Sequence, residues 1–127
     1  MADRFFAALR SRSPVAVACE PRHPSWFTLE AAELLERLGV ARVAADPARV
    51  PAAAEPGGWP GLRYYRLHGS PRVYYSAYSE EYLDALASQL REDAVERPVW
   101  CIFDNTTLGA ATGNALGLLS RLGRTER

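Results

Sequence analysis

The sequence predicts an α/β fold built from parallel β-strand–helix–β-strand units. Four short apolar runs alternate with stretches of helical periodicity along the 127 residues, a pattern typical of parallel units rather than of a sandwich or a bundle. Each run ends on charged or imidazole side chains, and parallel α/β folds keep their ligand sites at the carboxyl ends of the strands. The runs are VAVACEPRHPSW from Val15, ARVAAD from Ala41, LRYYRLHGS from Leu62 and VWCIFDNT from Val99.

Helical segments surround the first of these strands. Residues Asp3 to Arg10 predict a short helix, and Pro14 separates it from the strand. A second helix follows Thr28, which can cap it, and Gly39 can end it. Its apolar stripe at i, i+3, i+4 and i+7 consists of Ala31, Leu34, Leu35 and Leu38.

Two further helices are predicted in the second half of the chain. The segment from Pro47 to Gly61 has four prolines and three glycines, so it is predicted to be a loop. A helix then begins at Ser79, with two glutamates near its positive end, and the last helix covers residues 111–122. The predicted inward faces are Leu83, Leu86, Ala87 and Leu90 in one helix, and Ala115, Leu118, Leu119 and Leu122 in the other.

Composition excludes several classes of function. The chain has 15 basic and 15 acidic residues, so no global field attracts nucleic acid or an anionic membrane. All the basic residues are arginine, which excludes a Schiff-base lysine and a Walker-type lysine. Cys19 and Cys101 lie inside apolar runs and are interpreted as buried thiols. Without a membrane-length apolar stretch or a signal-peptide core, the expected location is the cytoplasm.

Three segments carry a resemblance to a known family. They are CEPRHPSWFTLEAAELLERLGVARVAADPARVP, YYRLHGSPRVYYSAYSEEYLDAL and VWCIFDNTTLGAATGNALGLL. In this order and spacing they resemble the carboxyl-terminal half of the DUF72 family, also called YecE-like proteins. The resemblance implies a TIM-like barrel of unestablished role, of which residues 1–127 form a single half-barrel domain with about four strands. Asp104-Asn105 stands where the family tends to have paired asparagines, which changes the charge of the expected pocket.

Side-chain alternation along the strands predicts which polar groups meet. Glu20 shares a strand face with Arg22, and Arg66 shares one with His68. If these faces point to the barrel axis, the groups converge at one mouth. His68 and Glu20 are then the candidate catalytic residues, because an imidazole changes its charge near neutral pH. The candidate ligand-binding residues are Arg22, His23, Asp46, Arg66, Arg72, Asp104 and Asn105.

A structural interpretation of the same residues stays open. Buried charges need partners, so Glu20, Arg22 and Arg66 could simply pair with one another. His23 precedes Pro24 and could only shape the turn there.

The loops after the last two strands, residues 69–72 and 105–109, predict an anion site. Barrels commonly hold phosphate at such loops, helped by backbone N–H groups at a helix start. Arg66 and Arg72 would supply positive charge, and Thr106 and Thr107 would donate hydroxyl hydrogen bonds. Alternatively, those hydroxyls cap the following helix.

Nucleic-acid and metal chemistry have weaker support. All six tyrosines lie within residues 64–82 among arginines and could stack on bases, but the balanced charge makes a nucleic-acid partner, and phosphodiester chemistry on it, only a minor alternative. Glu20, Asp46, His68 and Asp104 are residue types that bind metals. They form no metal-binding motif, and the arginines among them would compete with a cation. A metal site therefore stays a minority alternative, and no cofactor is expected.

The sequence leaves three kinds of function open. The chain could be an enzyme that performs acid–base chemistry on a small anionic ligand, a phosphate or a carboxylate. It could also be a noncatalytic assembly module, or an inactive truncated barrel. Because unpaired edges of a parallel sheet favour association, we expect a homodimer or a partner that supplies the absent strands.

Overall fold

Helices and strands alternate along residues 1–123, the part of the chain that the computed structural model describes. The helices are α1 (Ala2–Arg12), α2 (Leu29–Arg37), α3 (Glu80–Ala94) and α4 (Ala110–Gly123). The strands are β1 (Val17–Cys19), β2 (Val40–Arg42), β3 (Ala44–Asp46), β4 (Gly57–Gly58), β5 (Arg63–Leu67) and β6 (Val99–Phe103). Within the described part of the chain, each helix falls short of the length and apolar character that a membrane crossing requires.

The main strands are parallel, which confirms the predicted α/β class. β1 pairs with β2, β3 pairs with β5, and β5 pairs with β6, all in parallel register. Only Val43 separates β2 from β3, and its N–H donates to the carbonyl of Cys19 at 2.8 Å. The continuous segment from β2 to β3 thus pairs with β1 through β2 and with β5 through β3. The carboxyl ends of β1, β3, β5 and β6 therefore lie along one edge.

The prediction of a plain loop between Pro47 and Gly61 is wrong in part. This segment contains a 3₁₀ turn, Pro51–Ala54, and the short strand β4, which runs antiparallel to β2. Gly58 adopts a positive φ of 66°, and a Cβ built there would lie 2.5 Å from the carbonyl oxygen of Val40. A glycine therefore allows the chain to return close beside β2, a conformation that other residues rarely adopt.

The larger core lies between the strands β3, β5 and β6 and the helices α3 and α4. All four predicted inward residues of α3 are buried in it: Leu83, Leu86, Ala87 and Leu90. Burying each leucine side chain contributes roughly 1.5–3 kcal/mol. In α4 the predicted face is wrong in part, because Ala111, Asn114 and Leu118 are buried while Ala115 and Leu119 are exposed.

A smaller core packs α1 and α2 against β1 and β2. Phe6, Leu35 and Val40 are buried there. The Arg10 side chain donates to the carbonyl of Leu38 at 3.0 Å and to that of Val15 at 2.6 Å, and so ties the end of α1 to the start of the sheet.

Side-chain caps fix where the central helices begin. The Thr28 hydroxyl accepts the N–H of Ala31 at 3.2 Å, and the Ser79 hydroxyl accepts that of Tyr82 at 3.1 Å. Both caps occur at the predicted residues and satisfy N–H groups that have no partner inside the helix.

Candidate functional site

Charged side chains of three strand ends meet at the carboxyl edge of the sheet. Glu20, His68 and Asp104 are each the first residue after β1, β5 and β6, respectively. Since the carboxyl ends of parallel strands lie at the same edge, the three side chains are close together. With Arg22 and Arg66 they form one connected group, here named the strand-end cluster.

His68 lies at the centre of the strand-end cluster. Its ring atom Nε2 is 2.9 Å from Oε2 of Glu20, and Nδ1 is 2.8 Å from Oδ2 of Asp104. The residue is only 3% exposed, so few water molecules compete for these contacts. A buried imidazole therefore connects two carboxylates that come from different strands.

Two arginines complete the cluster. Arg66 donates to Oε1 of Glu20 at 3.0 Å and to Oδ2 of Asp104 at 2.7 Å, and Arg22 pairs with Oε2 of Glu20 at 3.1 Å. Burial alone would lower the pKa of Arg66, but the attraction of the two carboxylates outweighs it, so the pKa of this guanidinium is raised. Arg66 is therefore a permanent cation in contact with both carboxylates.

Both ring nitrogens of His68 lie beside carboxylate oxygens, so the positions of the protons decide which of these contacts are hydrogen bonds. A neutral imidazole has one N–H and donates to one acceptor, whereas an ionised carboxylate only accepts. His68 has a carboxylate oxygen at each ring nitrogen. Both contacts are hydrogen bonds when each ring nitrogen carries a proton, or when one carboxyl group does. The contacts of His68 with Glu20 and Asp104 therefore depend on where the protons of the cluster lie.

Backbone hydrogen bonds place these side chains. The N–H of His68 donates to the carbonyl of Asp46 at 2.8 Å, and the N–H of Asp104 donates to that of Leu67 at 3.0 Å. The hydrogen bonds that pair β3 with β5 and β5 with β6 thus continue for one residue past the ends of β5 and β6. The sheet itself therefore sets the positions of His68 and Asp104.

A cleft of about 380 Å³ opens beside the cluster. Two of its lining side chains are arginines, and it is here named the arginine cleft. It is lined by Arg22, Pro47, Ala48, Arg49, His68, Val73 and Tyr74. Arg49 is absent from the candidates that the sequence provides. The position of Arg49, three residues after β3 in a loop that leaves the carboxyl edge of the sheet, is the sequence feature that could have indicated it.

Two predicted ligand residues lie apart from the cluster. His23 is exposed, and its Nδ1 accepts the N–H of Ser25 at 3.2 Å, which caps the 3₁₀ turn Pro24–Phe27. Arg72 places its guanidinium 3.7 Å from the centre of the Tyr75 ring. Neither side chain contacts Glu20 or His68, so the structure does not bring them together with the predicted catalytic pair.

Asp46 and Asn105 hold the loop between β5 and α3. Asp46 accepts the hydroxyl hydrogen bond of Tyr78 at 2.8 Å. Burial is the main reason that the pKa of Tyr78 is raised, so this hydroxyl keeps its proton. Asn105 is fully buried and donates to the carbonyl of Ser76 and to the side chain of Asn114, each at 2.9 Å. Both predicted ligand residues therefore have structural partners in this structure.

The same residues include types that bind metal ions. Within residues 1–123, no group of three or more histidine, cysteine, aspartate or glutamate side chains is arranged to hold a metal ion. In the cluster, Arg66 occupies the space between the two carboxylates.

Comparison with known proteins identifies one family. The model of a family described as "Protein of unknown function DUF72" matches residues 2–127. The match covers nearly the whole chain, and correspondence to the carboxyl-terminal half of longer family members stays a prediction. No curated protein matches the chain.

Solved structures with similar folds are longer than this chain. The crystal structure of a DUF72 family protein from Thermotoga maritima MSB8 is 28% identical, with a TM-score of 0.74 over 95% of this chain and 51% of that one. Two crystal structures of a DUF72 family protein from Enterococcus faecalis V583 are 20% and 22% identical, with TM-scores of 0.72 and 0.71. They cover 94% of this chain and 53% and 55% of those chains, so this chain spans about half the length of these structures.

Proposed function

The chain belongs to the DUF72 family, and we propose that its strand-end cluster and arginine cleft bind a small anionic ligand, a phosphate or a carboxylate, and exchange a proton with it. One observation carries the proposal. His68 is buried between the carboxylates of Glu20 and Asp104, and it also lines a cleft that contains Arg22. Proton-holding groups and cationic groups are therefore adjacent.

The charge balance of the cluster supports an anionic ligand. The charges of Arg22 and Arg66 cancel those of Glu20 and Asp104. With a proton on each ring nitrogen, His68 adds one positive charge. Arg49 in the arginine cleft adds another. The site then has a positive surplus, and guanidinium groups bind carboxylate and phosphate through paired hydrogen bonds.

The contacts support one route for the proton. Oε2 of Glu20 contacts both Nε2 of His68 and the guanidinium of Arg22. A proton can pass from His68 to Glu20, and from Glu20 to a ligand oxygen that Arg22 holds against Oε2 of Glu20. Asp104, held by Arg66, contacts the other ring nitrogen and orients the ring during this transfer.

The binding part of the proposal is tested with inorganic phosphate. Arg22→Gln should weaken phosphate binding in calorimetry at low salt about tenfold, since it removes one charge-assisted contact. Arg12→Gln, the same charge change on the exposed side of α1, is the matched control and should leave affinity within about twofold. Equal affinities of the two variants, or absence of phosphate binding by the unmodified chain at millimolar concentration, would contradict the proposal.

The proton-exchange part has its own measurement. Calorimetry in two buffers of different ionisation enthalpy reports the protons taken up or released when phosphate binds. We expect proton exchange in the unmodified chain and none in His68→Gln. If His68→Gln fails to fold, Glu20→Gln gives the same test. Unchanged proton exchange in a folded variant would rule out the assigned roles.

A noncatalytic assembly role is the second candidate, and a specific feature of the sheet favours it. Within the described chain, β1 and β6 each pair with a neighbour on one side only. Trp100 on β6 is 57% exposed. We propose that these edges bind a second copy of the chain, so that two half-barrels complete one another.

A further inference from the structure

Arg49 is a charged residue of the arginine cleft that pairs with no described residue. Among residues 1–123, its guanidinium has no ion pair or hydrogen bond, and its side chain is exposed. Arg22, which also lines this cleft, uses part of its guanidinium for Glu20. None of the lining side chains is a carboxylate. Two guanidinium groups therefore face one cleft with hydrogen-bond donors still free.

An aromatic side chain forms another wall of the arginine cleft. Tyr74 is 47% exposed, and its ring meets the His68 ring edge to face, with the centroids 6.1 Å apart. It has a positive φ of 69°, which is rare outside glycine. Such a conformation persists only where the surroundings impose it, and it is concentrated at functional sites.

The surroundings of Tyr74 explain how this conformation is held. Its N–H donates to the carbonyl of His68, and its carbonyl accepts the N–H of Thr107 at 3.0 Å. The turn begins at Gly69, where a Cβ would lie 3.2 Å from the backbone nitrogen of Tyr74. The chain therefore fixes an exposed ring beside the cluster instead of leaving it on a free loop.

We propose that the arginine cleft binds an organic phosphate monoester, with the phosphate between Arg22 and Arg49 and a planar organic group against Tyr74. This inference rests on the proposed function and narrows its ligand class. A phosphate monoester has several oxygens that can accept from both guanidinium groups at once. The cleft volume of about 380 Å³ is larger than a free phosphate. The remaining space has room for a planar organic group, which can stack on the ring of Tyr74.

Phenyl phosphate and inorganic phosphate are the probes for this inference, compared by calorimetry at about pH 8, where both are largely dianions. Phenyl phosphate should bind about three- to tenfold more tightly, because only it reaches Tyr74. Arg49→Gln should weaken both probes about tenfold, whereas Arg12→Gln should not. Tyr74→Asn should remove the preference for phenyl phosphate while keeping phosphate affinity, since asparagine tolerates a positive φ.

The outcomes separate this inference from the proposed function. If inorganic phosphate binds and Arg22→Gln weakens it, but Arg49→Gln does not, the proposed function stands and the role of Arg49 is wrong. Equal affinity for the two probes would overturn the role of Tyr74. If neither probe binds the unmodified chain at millimolar concentration, the proposed function itself fails.

Discussion

At the scale of single residues, buried amide side chains hold the loops that carry the site. Oδ1 of Asn114 accepts the backbone N–H of Tyr78 at 3.0 Å and the side chain of Asn105 at 2.9 Å. These bonds join α4 to the loop after β5. The loop that positions Tyr74 thus depends on a residue far from the cleft.

We predict that Asn114→Ala lowers the free energy of unfolding by about 1–3 kcal/mol, because it leaves a buried N–H and a buried amide without their acceptor. Urea unfolding followed by circular dichroism measures the change. Thr112→Ala, at an exposed position of the same helix, is the control and should change stability by less than about 0.5 kcal/mol. Similar losses in the two variants would show that the amide bonds contribute little.

Half-buried tyrosine and cysteine side chains make stability sensitive to alkaline pH. Cys19 and Cys101 are both half-buried, so the prediction that these thiols are fully buried is wrong in part. Burial raises the pKa of Tyr82 and of Cys101 to about 12. A group whose pKa is higher in the folded state stabilises the fold at pH values below its pKa in the unfolded chain, which is about 9 for the thiol. That contribution is lost as the pH rises through the pKa of the folded state. We expect the unfolding free energy to fall between about pH 9 and pH 12.

Urea midpoints measured across that range test the expectation, with Cys101→Ala as the variant. The variant should lose stability less steeply, because it lacks one of the groups that bind a proton more tightly in the folded state. Parallel curves for the variant and the unmodified chain would contradict the role of this thiol.

The sequence predicted part of the site at this scale. Glu20, Arg66, His68 and Asp104 directly end or follow apolar strands, so strand alternation and the parallel arrangement were enough to group them. Strand alternation could not predict that Arg49 and Tyr74 lie at the site, because their positions depend on irregular loop conformations, such as the positive φ of Tyr74. His23 was grouped with the site only by closeness in sequence, and its ring caps a turn instead.

At the scale of elements, β4 shows how one glycine allows a segment to pack. Gly58→Ala should destabilise the chain by about 1–3 kcal/mol, since alanine is strained at a φ of 66° and its Cβ would meet the carbonyl of Val40. Thermal or urea unfolding measures this. Gly113→Ala is the control, because a Cβ there meets nothing within 4 Å and helix propensity favours alanine. An unchanged midpoint for Gly58→Ala would contradict the tight return beside β2.

The helices differ in how well the sequence predicted them. The caps at Thr28 and Ser79 and the buried face of α3 follow from local rules of helix formation. The buried face of α4 does not, because its leucines were assigned from periodicity alone, whereas the neighbouring elements decide which side is covered. With β6 at the edge of the described sheet, Leu119 remains exposed.

At the scale of the whole molecule, the open edges of β1 and β6 predict self-association. We expect sedimentation at micromolar concentration to show a dimer. Trp100→Glu should shift it toward monomer, because it places a charge on the exposed part of β6. Val95→Glu, at another exposed apolar residue, is the control and should leave the dimer intact. A stable, folded monomer of the unmodified chain would contradict the proposed pairing.

We propose that buried His68 holds a proton between Glu20 and Asp104 in the wall of a cleft that binds an anion. Nitrogen NMR of the histidine rings during a titration with inorganic phosphate tests it most directly, with exposed His23 as an internal reference. We predict hydrogen-bonded protons at both ring nitrogens of His68 and a shift of its signals, but not those of His23, as phosphate binds. An unprotonated ring nitrogen in His68 and signals that do not respond to phosphate would contradict the claim.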